Sequence, residues 1–113
     1  MENILTISTT PAEEEAWKNL EKKQTITQVL DERGKRYGKF TGHAEVTQML
    51  KAVITAALSK RSKTLAADQQ EALDMICHKI GRIINGDPDY ADSWVDIAGY
   101  AQLVADRLEG LER

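Results

Sequence analysis

The chain has 113 residues, a formal net charge of −3, 42% hydrophobic and 29% charged residues. This length suits one domain with a modest core, and the composition is typical of a globular protein. The negative balance gives no general reason to expect nucleic acid or an anionic membrane as a partner, although a local basic patch can still bind phosphates. No apolar run approaches the roughly 20 residues of a membrane span. With no signal peptide evident, we expect a cytoplasmic protein.

The helical part of the chain has a clear predicted start. Residues 1–9 are polar and β-branched without helical periodicity, which predicts a flexible lead before a single helical domain over residues 10–113. Thr10 can cap a helix, Pro11 suits its first position, and Glu13 completes a capping box. The first helix is therefore expected to begin at this point.

After this start, the sequence predicts a break between two helices and then a loop. A polar run without an apolar anchor predicts a break near residues 23–25, and the next helix is expected to end near Gly34. Residues 32–43 hold three glycines and the positive charges of Arg33, Lys35, Arg36 and Lys39. This segment fits either a solvated basic turn or a loop that contacts phosphate, with Tyr37 or Phe40 beside a base or the core.

Three later stretches repeat apolar residues at helical spacing. A helix from residue 42 or 43 to Ser59 has a predicted core face of Val46, Met49, Leu50, Val53, Ile54 and Leu58. A helix over residues 65–84 has an apolar stripe of Leu73, Ile76, Cys77, Ile80, Ile83 and Ile84. The last helix, over residues 88–109, has a main stripe of Trp94, Ile97, Ala101, Val104, Ala105 and Leu108. The single Cys77 is expected to be a buried, inert thiol.

The two C-terminal helices are joined by Asn85-Gly86-Asp87-Pro88. Gly86 is expected to end the first helix in the left-handed conformation, while Asp87 and Pro88 cap and start the second. So short a connection predicts an antiparallel αα-hairpin. The expected fold class is therefore all-α, a bundle of four to five helices with this hairpin at its C-terminal end.

The last helix carries a second apolar stripe, formed by Val95, Gly99 and Leu103. An amphipathic surface helix needs only one such stripe, so the second predicts burial against a neighbour. Because a chain of this length has few other elements to cover it, we expect a homo-oligomer, and a dimer before any larger assembly.

Acidic residues recur at spacings of three and four on both arms of the hairpin, as Glu71, Asp74, Asp92 and Asp96. These spacings place each pair on one helix face. Oxygen ligands on rigid helices suit Mg²⁺ or Mn²⁺, so the four acids are the candidate metal ligands and catalytic residues. In the structural alternative, Asp92 complements the N-terminus of its helix, and Glu71 and Asp74 belong to a solvated face. Asp96 lies among apolar neighbours and is expected to have a cation or a hydrogen-bond partner.

Basic and polar residues near these acids are candidates for holding a ligand. Lys79, Arg82 and Arg36 are expected to bind phosphates. His78 lies one helical turn after Asp74, but the absence of an HExxH motif argues against zinc. The predicted substrate-binding residues are Arg36, Tyr37, His78, Lys79, Arg82, Asn85 and Tyr100.

The acidic pattern resembles that of a known enzyme family. Glu71-x-x-Asp74, followed by Asp92-x-x-x-Asp96 and Tyr100, resembles the metal-binding half of the MazG-like all-α nucleoside triphosphate pyrophosphatases. This resemblance implies an ExxE helix paired with an ExxD helix around Mg²⁺, hydrolysis of a nucleoside triphosphate to the monophosphate and pyrophosphate, and a dimer or tetramer. Here the first pair is Glu/Asp, and the second is spaced by four. The spacing of the family's ExxD pair occurs instead in Asp89-x-x-Asp92.

A second resemblance covers about residues 31–109 and is to a small protein family frequent in phages and prophages. It rests on the sequence Tyr-Gly-Lys-Phe at residues 37–40, on the stretch from Glu71 to Asp87, and on the Asp-Ser-Trp run at residues 92–94. This resemblance implies a phage-encoded protein that acts in the host cytoplasm.

Three functions follow from these patterns. The first is Mg²⁺-dependent pyrophosphohydrolysis of a nucleotide, in which the metal orients and activates water at the α–β phosphate linkage. The second is a non-catalytic nucleotide-binding protein of phage type that sequesters a host signalling nucleotide and so counters host defence. The third is a small oligomeric helical adaptor whose acids are solvated. None of the three requires nucleic acid or a membrane as a partner.

Overall fold

The computed structural model describes residues 10–113, except for the side chains of residues 20–24. The described part of the chain contains no strand and four helices: α1 (Pro11–Tyr37), α2 (Phe40–Lys60), α3 (Ala67–Asn85) and α4 (Ala91–Leu108). The all-α prediction is confirmed. The flexible lead predicted for residues 1–9 lies outside the described residues. Among the helices described, none is both long and apolar enough to cross a membrane.

The chain divides into two compact units, with the boundary after Arg33. What the structure describes of the first unit is the beginning of α1. Its capping box forms as predicted: Glu13 N–H donates to Thr10 Oγ1 at 3.1 Å, and Thr10 N–H donates to Glu13 Oε1 at 2.9 Å. The single helical domain predicted over residues 10–113 stays a prediction.

Helix α1 is longer than the sequence predicted. It runs without interruption through residues 23–25 and past Gly34, so the predicted break and the predicted helix end are both wrong. The reason is that Glu, Lys and Gln are strong helix formers, and a polar run without an apolar anchor does not terminate a helix. Only residues 38–39 separate α1 from α2. Residues 32–43, predicted as a loop, therefore comprise the end of α1, a two-residue turn and the start of α2. Gly38 makes the turn with a φ of 76°.

In the second unit, α3 is central because both α2 and α4 pack against it. Two ion pairs join α3 to α4. Arg107 binds Asp68 through two nitrogens, with Nε to Oδ2 at 2.8 Å and Nη2 to Oδ1 at 2.5 Å. Lys79 Nζ lies 2.9 Å from Asp96 Oδ2.

Small and polar residues occupy the helix contacts of the second unit. The buried residues are His43, Thr47, Ala72, Cys77, Lys79, Gly81 and Ser93. Several residues of the predicted core stripes are instead exposed: Met49, Val53, Ile84, Trp94 and Leu108. Small side chains let the helices approach closely, as at Gly81, where a Cβ atom would overlap Thr47. The placement of Cys77 is confirmed, and burial raises the pKa of its thiol.

The turn between α3 and α4 differs from its prediction. Gly86 has a φ of −128° and is not left-handed, and α4 begins at Ala91 rather than at Pro88. Asp87 does not cap the helix, because the N-cap residue is Tyr90. The Oδ1 atom of Asp87 accepts a hydrogen bond from Asp89 N–H at 2.9 Å, within the turn. Its backbone N–H donates to the carbonyl of Arg36 at 2.7 Å, which ties this turn to the end of α1.

Asn85 closes the contact between these two turns. Its Nδ2 donates to the carbonyl oxygens of Tyr37 and Lys39, at 2.7 and 2.9 Å. The backbones approach so closely that a Cβ atom on Gly38 or Gly42 would overlap Asn85, and one on Gly86 would overlap the backbone of Arg36 and Tyr37. These three glycines are therefore required by close packing, whatever their backbone angles.

We expect Gly86→Ala to lower the free energy of unfolding by about 1–3 kcal/mol, because its methyl group meets backbone that cannot move aside. The matched control is Gly34→Ala, a helical glycine with no atom near its Cβ position. That change is expected to raise stability by up to about 1 kcal/mol. Urea denaturation measures both, and equal effects of the two substitutions would contradict the packing described here.

The second apolar stripe of α4 is open to solvent in the single chain. Val95 is 64% exposed and Leu103 49% exposed, and no atom lies within 4 Å of a Cβ built on Gly99.

If this stripe forms the interface of an oligomer, we expect Val95→Glu to reduce that oligomer to its 12.6 kDa monomer, as measured by light scattering at tens of micromolar. Ala101→Glu, an exposed position on another face of α4, is the control. A wild-type protein that is already monomeric would refute the expectation.

Candidate functional site

Two arginines and two tyrosines form a cluster beside the Asn85 contact. The guanidinium carbon of Arg82, on α3, lies 4.1 Å from the ring centroid of Tyr37, at the end of α1. That of Arg36 lies 4.8 Å from the ring centroid of Tyr90. The two rings meet edge to face, with centroids 6.1 Å apart. Arg36, Tyr37, Arg82 and Tyr90 are called the arginine–tyrosine cluster below.

Hydrogen bonds fix the Tyr90 end of this cluster. Arg36 Nη1 donates to the Tyr90 hydroxyl oxygen at 2.8 Å, and this hydroxyl donates to Asp92 Oδ2 at 2.9 Å. The hydrogen bond to Asp92 raises the pKa of Tyr90, because the phenol must lose the proton that it donates. Asp92 therefore acts here on the cluster through Tyr90, as a hydrogen-bond acceptor.

A pair of histidines lies between α2 and α3. His43 Nε2 is 3.2 Å from His78 Nδ1, and Thr47 Oγ1 is 3.4 Å from the same His43 nitrogen. His43 is 5% exposed, and its Nδ1 is buried without a hydrogen-bond partner. Gly81 permits this arrangement, since a Cβ at that position would overlap Thr47.

The histidine pair is surrounded by positive charge. Burial lowers the pKa of both rings, and the nearby cations Arg82 and Lys79 lower it further. For His78, with Lys51 and His43 also acting on it, the pKa falls to about 4. No carboxylate contributes to either shift. Both rings are therefore neutral at pH 7.

Three of the four predicted metal ligands have separate partners in the structure. Asp96 pairs with Lys79, Asp92 accepts from Tyr90, and Asp74 Oδ1 accepts from Gln70 Nε2 at 3.1 Å. Glu71 is exposed at the rim of a groove between α3 and α4. Among the residues described, no three His, Cys, Asp or Glu side chains are grouped so as to hold a metal ion. A Mg²⁺ or Mn²⁺ ion shared by these acids stays a prediction.

The predicted substrate-binding residues fall into three places. Arg36, Tyr37 and Arg82 meet in the arginine–tyrosine cluster, next to Asn85. His78 contacts His43 of α2, and the buried Lys79 pairs with Asp96 of α4. Tyr100 lines a separate groove along α4, beside the Val95, Gly99 and Leu103 stripe.

Sequence reasoning missed three residues of these sites: His43, Thr47 and Tyr90. The first two are one helical turn apart on α2, and a polar i, i+4 pair inside an apolar helix was a signal that they share a buried face. Tyr90 follows the Asp-Pro-Asp turn, and only the folded chain shows that it meets Arg36.

Comparison with known proteins identifies one family. The model of a family described as "Domain of unknown function (DUF6378)" matches residues 20–108, which include the cluster, the histidine pair and the four acids. No curated protein and no solved structure matches the chain.

Acid is expected to destabilise this protein through the histidine pair. Below pH 6.5 the unfolded chain binds protons at His78 that the folded chain does not bind until about pH 4, so the free energy of unfolding falls as the pH falls through this window. We expect His78→Gln to reduce the loss in Tm between pH 7 and pH 5 by about 5 °C, measured by thermal denaturation. An unchanged pH profile in this variant would show that the pair is not responsible.

Proposed function

We propose that this chain, a member of the DUF6378 family by a match that covers most of its length, binds a nucleotide through its phosphates at the arginine–tyrosine cluster. The observation that carries the proposal is the stacking of two guanidinium groups on two tyrosine rings, at 4.1 and 4.8 Å, beside a rigid turn. Arg82, Tyr37 and Tyr90 are half-buried, and Arg36 is exposed, so the cluster can be reached from solvent.

Stacked guanidinium groups suit the recognition of phosphate. The ring covers the face of the guanidinium and leaves its edge, which carries the N–H donors, uncovered. In Arg36 the donor on Nη1 is already bonded to the Tyr90 hydroxyl. Two such groups held by separate helices can contact two phosphates, or two oxygens of one phosphate, with little loss of side-chain entropy on binding. The aromatic rings offer an apolar surface to the base or the sugar.

The contacts of Asp92 and Asp96 favour nucleotide binding that does not require a metal ion. The charge of Asp96 is balanced by Lys79, whose ammonium group is nearly buried, and Asp92 is engaged by Tyr90. These contacts do not fit a preformed four-carboxylate metal centre, and no catalytic step is proposed through one. The function proposed first is therefore a nucleotide-binding protein that sequesters its ligand.

Mg²⁺-dependent pyrophosphohydrolysis is the second candidate, as implied by the MazG-like resemblance. It is favoured by Asp92 and Asp96, which lie on successive turns of α4. Asp92 accepts a hydrogen bond from Tyr90 of the cluster, and Asp96 pairs with Lys79, three residues before Arg82 of the cluster. The antiparallel hairpin that this fold requires is supported by the Asp68–Arg107 pair, which joins the first turn of α3 to the last turn of α4.

We expect ATP, or another member of a panel of nucleoside triphosphates and cyclic dinucleotides, to bind in EDTA and to raise the Tm of the protein. Arg82→Gln should weaken this binding at least tenfold, since a charge-assisted hydrogen bond contributes about 1.5–3 kcal/mol. The control is Arg61→Gln, which removes an exposed arginine at the far end of α2 whose Nη1 bonds the Ala57 carbonyl. Calorimetric titration gives the affinities.

The same samples separate the three functions. Binding in EDTA with no release of pyrophosphate supports sequestration. Release of pyrophosphate that needs Mg²⁺ and is lost in Asp96→Asn supports the enzyme instead. If no nucleotide binds, or if Arg82→Gln and Arg61→Gln lower the affinity equally, the cluster is structural and the proposal is wrong.

A further inference from the structure

The hydrogen bonding of the histidine pair determines which ring nitrogen carries the proton. If His78 Nδ1 donated to His43, the proton of His43 would lie on its Nδ1, as a buried N–H without a partner. An orphaned buried donor is rarer and more costly than an unfilled acceptor. The favoured arrangement is therefore donation from His43 Nε2–H to His78 Nδ1, which leaves the proton of His78 on Nε2, the nitrogen on the far side of its ring.

The charges that lower the pKa of His78 are positive. They belong to Arg82 and Lys79 on α3 and to Lys51 on α2. Asp74, one helical turn before His78, accepts a hydrogen bond from Gln70 and raises the pKa of the neighbouring Cys77. Within residues 25–113, Asp96 of α4 forms an ion pair with one of these cations, Lys79. His78 is half-buried, and the described residues provide no partner for its Nε2. Arg82 belongs both to this environment and to the arginine–tyrosine cluster.

We infer that His78 donates through Nε2 to an anionic group of the bound ligand, and that the histidine pair takes up a proton when this anion binds. The inference rests on the proposed nucleotide function and specifies its chemistry. An anion beside Arg82 offsets the field of the three cations, so the charged form of the pair becomes more favourable. By linkage, ligand affinity then rises as the pH falls from 6 towards 4, the range in which the pair titrates. The bound proton is shared by the pair, because the two rings are hydrogen-bonded and titrate together.

The test uses NMR and calorimetry on the full chain. His43 and His78 are its only histidines, so each ring signal can be assigned with one His43→Gln or His78→Gln sample. Ring titrations are recorded without ligand and with saturating ATP or inorganic pyrophosphate. We expect the ligand to raise the apparent pKa of the pair by at least about one unit, equivalent to a tenfold gain in affinity across the titration.

Calorimetric titration at pH 5, in two buffers of different ionisation enthalpy, counts the protons taken up, because the raised pKa of the pair then lies close to the pH of the measurement. ATP itself titrates in this range, but its contribution is common to wild type and His78→Gln and cancels in the difference. Wild type should take up more protons than the variant, whose carboxamide keeps a hydrogen bond with His43. A Tm measured at pH 5 for both proteins verifies that they are folded under the conditions of the titration.

Each result has a distinct meaning. Binding of ATP or pyrophosphate that leaves both histidine titrations unchanged overturns the inference and leaves the proposed function standing. Equal proton uptake by wild type and His78→Gln does the same. If neither ATP nor pyrophosphate binds, the proposed function and the inference fail together.

Discussion

The hydrogen bonds of the Asn85 side chain to the carbonyls of Tyr37 and Lys39 are the constraint on which the rest of the site depends. They attach the end of α3 to the turn between α1 and α2, and the glycines around them let the backbones approach. A carboxylate at this position would face the two carbonyl oxygens and repel them. Because of this contact, a two-residue turn holds Arg36 and Tyr37 in fixed positions against α3.

Fixed positions matter because arginine and tyrosine side chains lose conformational entropy when they are ordered on a ligand. In this protein much of that entropy is lost on folding, since Arg82 is stacked on Tyr37 and Arg36 is both stacked on and hydrogen-bonded to Tyr90. Preorganisation of this kind raises affinity without adding contacts. It also gives the cluster a structural role, since the same stacking joins α1 to the two C-terminal helices.

The interior of the second unit is held by polar contacts to an unusual extent. His43, Thr47 and Lys79 are buried, while large apolar residues such as Met49, Val53 and Val95 are exposed. Polar contacts at helix interfaces define one arrangement of the helices but add little net free energy, because each group also loses its hydration.

The sequence by itself determined the all-α class and the capping box of α1, because the signals for both are local. It also selected Arg36, Tyr37, Arg82 and Asn85, whose basic, aromatic and turn chemistry is visible without a fold. Only the tertiary structure decided what these residues meet. Helical periodicity gives the face of a residue but not its partner. The sequence predicts that Asp96 needs a cation or a hydrogen-bond partner, and the structure shows it paired with Lys79, 17 positions earlier in the chain. His43 and His78 are separated by 35 positions, and their contact exists because Gly81 lets α2 approach α3.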